Sequence, residues 1–262
     1  MGQRPPFPTF ANGRQVWGHL LDSLYCLPMC GRFRLTRASK LAERFGIEPE
    51  DDWGPRYNIA PTQEVEVIRQ DSEEPKRFGS PMRWGLIPSW AKDASMGHKM
   101  INARAETVAT MPAFRNALKQ RRCLIPADGF YEWKKEGKTR TPFCFTMADD
   151  SIFAFAGLWE SWKNAAGQVV ESCSIITTTP NALLQDVHDR MPVILPDESY
   201  DLWLDPGLQK TDALREMLTP FNPVMMRRYE VSSRVNQVKH DDALCAEPVM
   251  REAAASTLRL FP

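Results

Sequence analysis

The sequence of 262 residues lacks several features that would place it in a familiar class of protein. No apolar run approaches the roughly 20 residues that a membrane-spanning helix needs. The N-terminal segment also lacks the basic and apolar regions of a signal peptide. These absences predict a cytoplasmic protein with no membrane partner. Internal repeats and domain linkers are not evident either, which favours a single domain.

Metal-ligand patterns are also lacking. The six cysteines are scattered without a CxxC pair, and the four histidines lie far apart in the sequence. This spacing argues against a zinc site, and cysteines of a cytosolic protein seldom form a disulfide framework. We therefore expect no metal and no cofactor. Cys123, Cys144 and Cys173 lie in strand-like runs, where cysteine is usually a small buried residue.

The chain has no net charge, because 33 basic residues balance 33 acidic ones. The charges are nevertheless unevenly distributed along it. Residues 76–140 contain fourteen Lys and Arg but five Asp and Glu, a local excess of +9. A basic face of this kind suits phosphate groups, although most charged stretches are ordinary solvated surface.

What the sequence does contain is many short strand-like segments, scattered brief helices and no βαβ alternation. This pattern predicts an α+β fold, a single domain whose curved mixed β-sheet or barrel-like core carries peripheral short helices. Locally, Thr36 is expected to cap a helix that Gly46 ends, and residues 181–188 (NALLQDVH) to form a brief helix.

The chain divides into three predicted parts. Residues 1–28 form a leader without an organised pattern, which is either disordered or the product of a mis-assigned start. Residues 29–236 form the folded domain, and residues 237–262 form a loose C-terminal tail.

Six short motifs in the folded part cluster residue types that a plain core does not need. They read MCGRF, YNIAPTQ, WGLIPSW, INARAET, GFYEW and HDRMPVIL, in order between Met29 and about Asn236. Together they resemble the successive motifs of the SOS-response-associated peptidase (SRAP) family, whose members shield abasic sites in single-stranded DNA. The resemblance implies the SRAP fold and a DNA partner that contains abasic sites. We expect a monomer that joins the nucleoid when it binds damaged DNA.

The resemblance also implies a covalent mechanism. In the family the initiator methionine is removed, and the amine and thiol of the exposed cysteine capture the aldehyde of a ring-opened abasic sugar as a thiazolidine. Carried over to this sequence, Cys30 is the nucleophile, and Asn102, Glu132 and His188 surround it. Autoprocessing peptidase and abasic-site lyase activities are implied as side reactions.

The chemistry of Cys30 depends on what precedes it. An N-terminal cysteine combines an amine of pKa about 7.7–8.0 with a thiol near 8.5, so part of the amine is unprotonated at neutral pH and can attack an aldehyde. An internal cysteine cannot, because its nitrogen is an amide. Either translation starts at Met29, or a leader is cleaved before Cys30. We favour the first, because residues 1–28 show no organised pattern.

The three supporting residues each have an ordinary alternative. Glu132, between two aromatic residues that can raise its pKa, can move protons during imine formation, but it can also be a surface glutamate. His188 can shuttle a proton during ring opening or crosslink reversal, or be structural. Asn102 can orient the amine or the aldehyde oxygen, or simply form a turn.

A further set of residues is expected to bind DNA. Three arginines lie two residues from a proposed catalytic group and can grip phosphates, although they can instead pair with acids such as Glu106 or Asp189. Three tryptophans can stack on bases, although we expect at least one of them to be core. The expected contacts are Arg32, Arg104, Arg190, Trp84, Trp90 and Trp133, with Asn58 and Pro61 shaping the pocket wall.

Two other functions draw on the same residues. A thiol peptidase would use Cys30 as nucleophile, His188 as base and Glu132 as the orienting group. A non-covalent single-stranded DNA-binding module would use the basic region 76–140, and neither the lesion nor Cys30 would matter to it.

Overall fold

The computed structural model describes residues 30–48, 54–71 and 76–250, and the predicted leader lies outside them. The described residues form thirteen strands. In chain order these are β1 (Phe33–Leu35), β2 (Arg56–Ile59), β3 (Glu64–Gln70), β4 (Arg77–Trp84), β5 (Asn102–Arg104), β6 (Arg122–Ala127), β7 (Gly129–Glu136), β8 (Thr139–Met147), β9 (Phe153–Lys163), β10 (Val169–Thr178), β11 (Met191–Pro192), β12 (Ile194–Leu195) and β13 (Met226–Glu230).

The helices are short and lie between the strands. The α-helices are α1 (Leu41–Phe45), α2 (Arg115–Gln120), α3 (Tyr200–Leu204) and α4 (Thr211–Glu216). Single 3-10 turns occur at Ala38–Lys40, Ala94–Lys99, Asp197–Ser199, Pro223–Met225, Ser233–Asn236 and Ala243–Cys245. Among the described residues, none of these helices is long and apolar enough to cross a membrane.

Five strands close into a barrel. Strand β3 pairs with β4 and β6, β6 pairs with β9, and β9 pairs with β10, all antiparallel. A parallel pairing of β10 with β4 completes the ring. Strands β5 and β11 also pair with β10, and β12 pairs with β9. The predicted α+β class with a barrel-like core is confirmed.

A second, antiparallel sheet has the strand order β13-β8-β7-β1-β2. It packs on the barrel through aromatic contacts: the ring of Phe33 in β1 lies edge-on to Trp84 (5.1 Å between centroids) and to Phe155 (5.7 Å). All three side chains are buried in one apolar core shared by both sheets. The two sheets therefore form a single domain, and β1 lies where they pack together.

The predicted N-cap at Thr36 is wrong. Both the backbone nitrogen and Oγ1 of Thr36 donate hydrogen bonds to Oδ2 of Asp128, at 2.6 and 2.7 Å. This buried carboxylate outcompetes the cap, because it also needs partners for its charge. Gly46 does end α1, in the left-handed conformation with φ of +66° that glycine adopts without strain.

The predicted helix at residues 181–188 is also wrong, because residues 182–187 form consecutive turns. Asn181 Oδ1 accepts hydrogen bonds from the backbone nitrogens of Leu183 and Leu184, as a helix cap would. Its amide nitrogen donates to the carbonyl of Phe221 and so ties the segment to a later part of the same chain. The run is too short for a stable helix to form against these contacts.

The predicted loose tail does not hold for residues 237–249. Val231 forms an isolated bridge with Pro248, and the nitrogen of Val249 donates to the carbonyl of Glu230 at 2.9 Å. Asp241 accepts hydrogen bonds from β2, and Cys245 is fully buried. This part of the chain therefore packs against the second sheet.

Candidate active site around Cys30

Strand pairing brings Cys30 close to Glu132. Cys30 precedes β1, which is antiparallel to β7 with Phe33 opposite Phe130. The nitrogen of Tyr131 donates to the carbonyl of Arg32 and continues this register toward Cys30. As a result the nitrogen of Cys30 donates to Oε1 of Glu132 at 2.7 Å. Both residues are 4% exposed, so Glu132 is not the surface glutamate that was the alternative.

Burial dominates the electrostatics of this pair. It raises the pKa of Glu132, while the nearby charge of His188 and the hydrogen bond from Cys30 act in the opposite direction. Burial and then the carboxylate of Glu132 raise the pKa of the Cys30 thiol, and the charge of Arg190 lowers it. The site therefore favours a neutral thiol and a carboxyl group that stays protonated to a higher pH than an ordinary glutamate.

His188 follows the turns of residues 182–187, and its backbone nitrogen donates to the carbonyl of Leu184 at 3.0 Å. Its Nδ1 accepts a hydrogen bond from the backbone nitrogen of Arg190 at 3.1 Å and lies 3.0 Å from Oδ1 of Asp189. A neutral ring can keep its proton on Nε2 and accept at Nδ1, whereas a charged ring can donate from Nδ1 to Asp189. Nδ1 of His188 therefore lies between a backbone N–H and the carboxylate of Asp189.

Arg190 is held by an acid rather than left free. Its guanidinium forms two hydrogen bonds with the carboxylate of Glu106, at 2.5 and 2.9 Å, and donates to the carbonyl of Thr177 at 2.6 Å. The predicted alternative of ion pairing with Glu106 is therefore what occurs here. The pair is partly exposed: the side chain of Glu106 is 47% exposed, while that of Arg190 is only 11% exposed.

Asn102 and Arg104 reach the same end of the barrel along β5. Strand β5 runs parallel to β10, with Asn102 beside Ile175 and Arg104 beside Thr177. Asn102 is half-buried, and Arg104 two residues on is exposed, while the intervening alanine is fully buried. Arg104 thus shares its β10 neighbour, Thr177, with Arg190.

Two residues expected to contact DNA are buried instead. Arg32 is 6% exposed and Asn58 is fully buried. Arg32 Nη1 donates to Asn58 Oδ1 at 2.8 Å and to the carbonyl of Val235 at 2.7 Å. Nη1 of Arg32 is thus engaged inside the protein, and the phosphate grip at Arg32 and the pocket-wall role of Asn58 stay predictions. Pro61 is half-buried.

The three tryptophans differ in exposure. Trp84 is fully buried, and its Nε1 donates to the carbonyl of Ile101 at 2.9 Å, so this ring is core and cannot stack on a base. Trp90 is 57% exposed. Trp133 is half-buried, with Nε1 donating to Oδ1 of Asn236 at 2.7 Å. Trp90 and Trp133 remain candidates for stacking.

Sequence reasoning missed the organising role of Asp128. This fully buried carboxylate pairs with Arg34 (Nε–Oδ1, 3.0 Å) in addition to Thr36, at the end of β1 away from Cys30. An acid inside an apolar strand-like run was the available signal. No signal of this kind marks the carbonyl of Val235 as a partner of Arg32, because a backbone group leaves no trace in the sequence.

Within the described ranges, no three His, Cys, Asp or Glu side chains come together in a way that could hold a metal ion. The candidate site therefore consists of Cys30, Glu132, His188, Arg190 and the β5 residues.

Comparison with known proteins places this arrangement in a family. The chain is 47% identical over 218 residues to the abasic site processing protein YoqW of Bacillus subtilis (strain 168), a match that covers 81% of this chain and 96% of YoqW. It is 30% identical over 270 residues to the abasic site processing protein HMCES of Mus musculus, covering 84% of this chain and 76% of HMCES.

Solved structures show the same fold. A crystal structure of a protein from Bacteroides thetaiotaomicron matches with a TM-score of 0.77 and 26% identity, covering 84% of this chain and all of that one. One from Bordetella bronchiseptica matches with a TM-score of 0.68 and 29% identity, covering 78% of this chain and all of that one. The family model for SOS response associated peptidases matches residues 29–238. The chain belongs to the SOS response associated peptidase (SRAP) family, as its six motifs predict.

Proposed function

We propose that this protein captures abasic sites in single-stranded DNA by forming a thiazolidine between Cys30 and the sugar aldehyde. The observation that carries the proposal is the 2.7 Å contact between the Cys30 nitrogen and the buried Glu132 carboxyl group. A relative that is 47% identical is named an abasic site processing protein, which supports the choice of substrate.

The reaction needs the Cys30 nitrogen as a free amine. With Met29 attached that nitrogen is an amide, and Cys30 has φ of +49°, a left-handed conformation that a β-carbon disfavours. Removal of Met29 takes away the preceding carbonyl, whose clashes make this conformation costly. It also leaves an amine where the amide now donates to Glu132.

The proposed sequence of bonds is balanced without any cofactor. The amine attacks the aldehyde carbon to give a carbinolamine, which loses water to become an imine. The thiol sulfur then adds to the imine carbon, and its proton passes to the nitrogen. The products are one five-membered ring and one water molecule, and no oxidant or reductant is consumed.

Glu132 is suited to the dehydration step. Loss of hydroxide from the carbinolamine needs an acid, and the raised pKa of Glu132 keeps its carboxyl group protonated to a higher pH than usual. The same carboxylate can then accept the proton that the amine releases. In this proposal His188, whose charge influences Glu132, would exchange protons with it or with the sugar. Asn102 would orient the aldehyde oxygen.

DNA would be bound around this site by groups at the barrel end. Arg104 is exposed, and Arg190 would exchange Glu106 for a phosphate from the exposed side of the pair, where the Glu106 carboxylate meets solvent. The exposed ring of Trp90 offers a stacking platform, and Trp133 and Pro61 are partly accessible. Such contacts suit unpaired bases.

The test is a crosslinking assay on an oligonucleotide with one abasic site, using the whole chain and the chain started at Met29. Mass spectrometry of each preparation reports whether Cys30 is N-terminal. We expect a heat-stable adduct wherever Cys30 is N-terminal, lost in Cys30→Ala and kept in the matched control Cys123→Ala, which alters a buried cysteine of the barrel. An equally efficient adduct from protein whose Cys30 is still blocked would refute the mechanism.

The same assay separates the competing functions. Efficient peptide cleavage without an adduct would indicate the thiol peptidase, which burial disfavours by raising the thiol pKa instead of lowering it. Binding that ignores both the lesion and Cys30→Ala would indicate a non-covalent DNA-binding module.

A further inference from the structure

Arg32 is a buried cation without an acidic partner in the described part of the chain. Its Nη1 donates to two neutral oxygens, Asn58 Oδ1 and the carbonyl of Val235, and its Cζ lies 5.8 Å from the centre of the Trp133 ring. Burial lowers the pKa of this guanidinium, and Tyr131 and Cys245 act in the opposite direction without cancelling that effect. Such a group is costly to bury and would be easily replaced if packing were all it provided.

Asn58 gathers the backbone of one segment around Arg32. Its amide nitrogen donates to the carbonyls of Val235 (3.2 Å), Gln237 (3.1 Å) and His240 (2.6 Å), while its oxygen accepts from Arg32. The two side chains therefore bind residues 235–240, hereafter the anchored segment, to β1 and β2. Val235 is 203 residues from Arg32 in sequence, so this is a long-range tie.

The anchored segment also holds the strand opposite Cys30. Trp133, next to Glu132, donates from Nε1 to Asn236. The backbone carbonyl of Arg32 accepts from Tyr131, the other neighbour of Glu132. Arg32 is two residues from Cys30 along the chain, so a shift of the Arg32 backbone would also shift Cys30.

We propose that Arg32 and Asn58 are positioning residues, which fix the anchored segment and thereby hold the Cys30 nitrogen within hydrogen-bond reach of Glu132. The assignment builds on the proposed function, in which that contact is the catalytic one. Neither side chain touches DNA in this account. Their loss slows the chemical step and leaves DNA affinity intact.

The experiment compares Arg32→Met with Arg104→Met, an exposed arginine of the same site, and with the conservative variant Arg32→Lys. Crosslinking rate is measured against concentration of abasic oligonucleotide, from pH 5.5 to 9, in the form that carries an N-terminal Cys30. Arg32→Met should lower the maximal rate at least tenfold, leave the half-saturating DNA concentration within twofold, and alter the pH profile that Glu132 imposes. Arg104→Met should mainly raise the half-saturating concentration. Arg32→Lys, which can still donate to the carbonyls, should recover part of the rate.

Hydrogen exchange of the anchored segment supplies an independent readout. Faster exchange at residues 235–240 in Arg32→Met, with protection of the barrel strands unchanged, would support the assignment and show that the variant folds. If Arg32→Met does not fold, Arg32→Lys and Asn58→Asp are judged by the same two measurements. A raised half-saturating concentration at unchanged maximal rate would overturn the proposal in favour of a DNA contact. If the wild type forms no adduct, the proposed function is refuted. The positioning assignment is then judged by hydrogen exchange alone, and unchanged exchange of the anchored segment in Arg32→Met would refute it.

Discussion

Arg190 and Glu106 meet side by side, with Nη1 of the guanidinium 2.5 Å from Oε1 of the carboxylate and Nη2 2.9 Å from Oε2. In the proposed function, Arg190 of this pair binds a phosphate of the DNA. The carboxylate both orients Arg190 and cancels its charge. A phosphate that binds Arg190 must compete with it.

Glu106→Gln should therefore strengthen DNA binding. Glutamine keeps an acceptor for Arg190 but removes the negative charge, so the affinity for a single-stranded oligonucleotide should rise by up to about fivefold at low salt. Fluorescence anisotropy over a series of salt concentrations measures this, with a steeper salt dependence expected in the variant. Equal affinity and equal slope in both proteins would remove Arg190 from the DNA path.

Cys30→Ser should change the product of the reaction. The serine amine still forms an imine with the sugar, but its hydroxyl adds to an imine more weakly than a thiol does. The longer-lived imine then allows β-elimination, and strand cleavage should increase relative to the wild type. Denaturing gels of an end-labelled abasic oligonucleotide measure cleavage and adduct together. A stable adduct with no gain in cleavage would argue against competition between ring closure and elimination.

Glu132→Gln should change the dependence of stability on pH. The pKa of Glu132 is raised in the folded protein, so the protonated residue favours folding below its ordinary pKa, and this contribution is lost as pH rises through the raised value. Glutamine does not ionise. Relative to wild type, the variant should gain about 1.4 kcal/mol between low and high pH for each unit by which the pKa is raised.

Urea unfolding of both proteins between pH 4 and 8 measures this difference. Near pH 4 their stabilities should converge, because the wild-type carboxyl group is then neutral as well. A constant difference across the whole range would mean that Glu132 titrates normally. Crosslinking should be lost in Glu132→Gln at every pH if the carboxyl group supplies the proton.

Trp90→Ala and Trp84→Ala form a matched pair that separates stacking from packing. Loss of the exposed ring should weaken single-stranded DNA binding by about 1–3 kcal/mol and leave thermal stability nearly unchanged. Loss of the buried ring should destabilise the fold by about 3–5 kcal/mol. Thermal melts and anisotropy on both variants test this. If Trp90→Ala bound DNA as well as wild type does, the stacking platform would have to be sought at Trp133.

The sequence predicted the parts of the fold that depend on local pattern. The run EVEVIRQ, whose alternation is typical of a strand, forms β3, and Gly46 ends α1 because the left-handed position needs no side chain. Strand β4 was not recognised, because Gly79 and Pro81 usually interrupt strands. Its pairing with both β3 and β10 is a property of the closed barrel that no local pattern carries.

The candidate site shows the same limit. Motifs pointed to the right residue types, and β-strand pairing brings Cys30 to Glu132. The roles of Arg32 and Trp84 could not be read locally, because each depends on burial by chain far away in sequence. A buried arginine and a surface arginine look alike in a motif. Only the packing of residue 235 against β1 distinguishes them.

The separation of 102 positions between Cys30 and Glu132 has a consequence for synthesis in the cell. At about 5–20 residues per second, Glu132 is added to the nascent chain roughly 5–20 s after Cys30. Until then the cysteine has no carboxyl group beside it and no barrel around it. If its amine is uncovered that early, it is exposed to free cellular aldehydes before it meets DNA, and the proposed capture of a lesion can begin only when β7 has emerged from the ribosome and paired with β1.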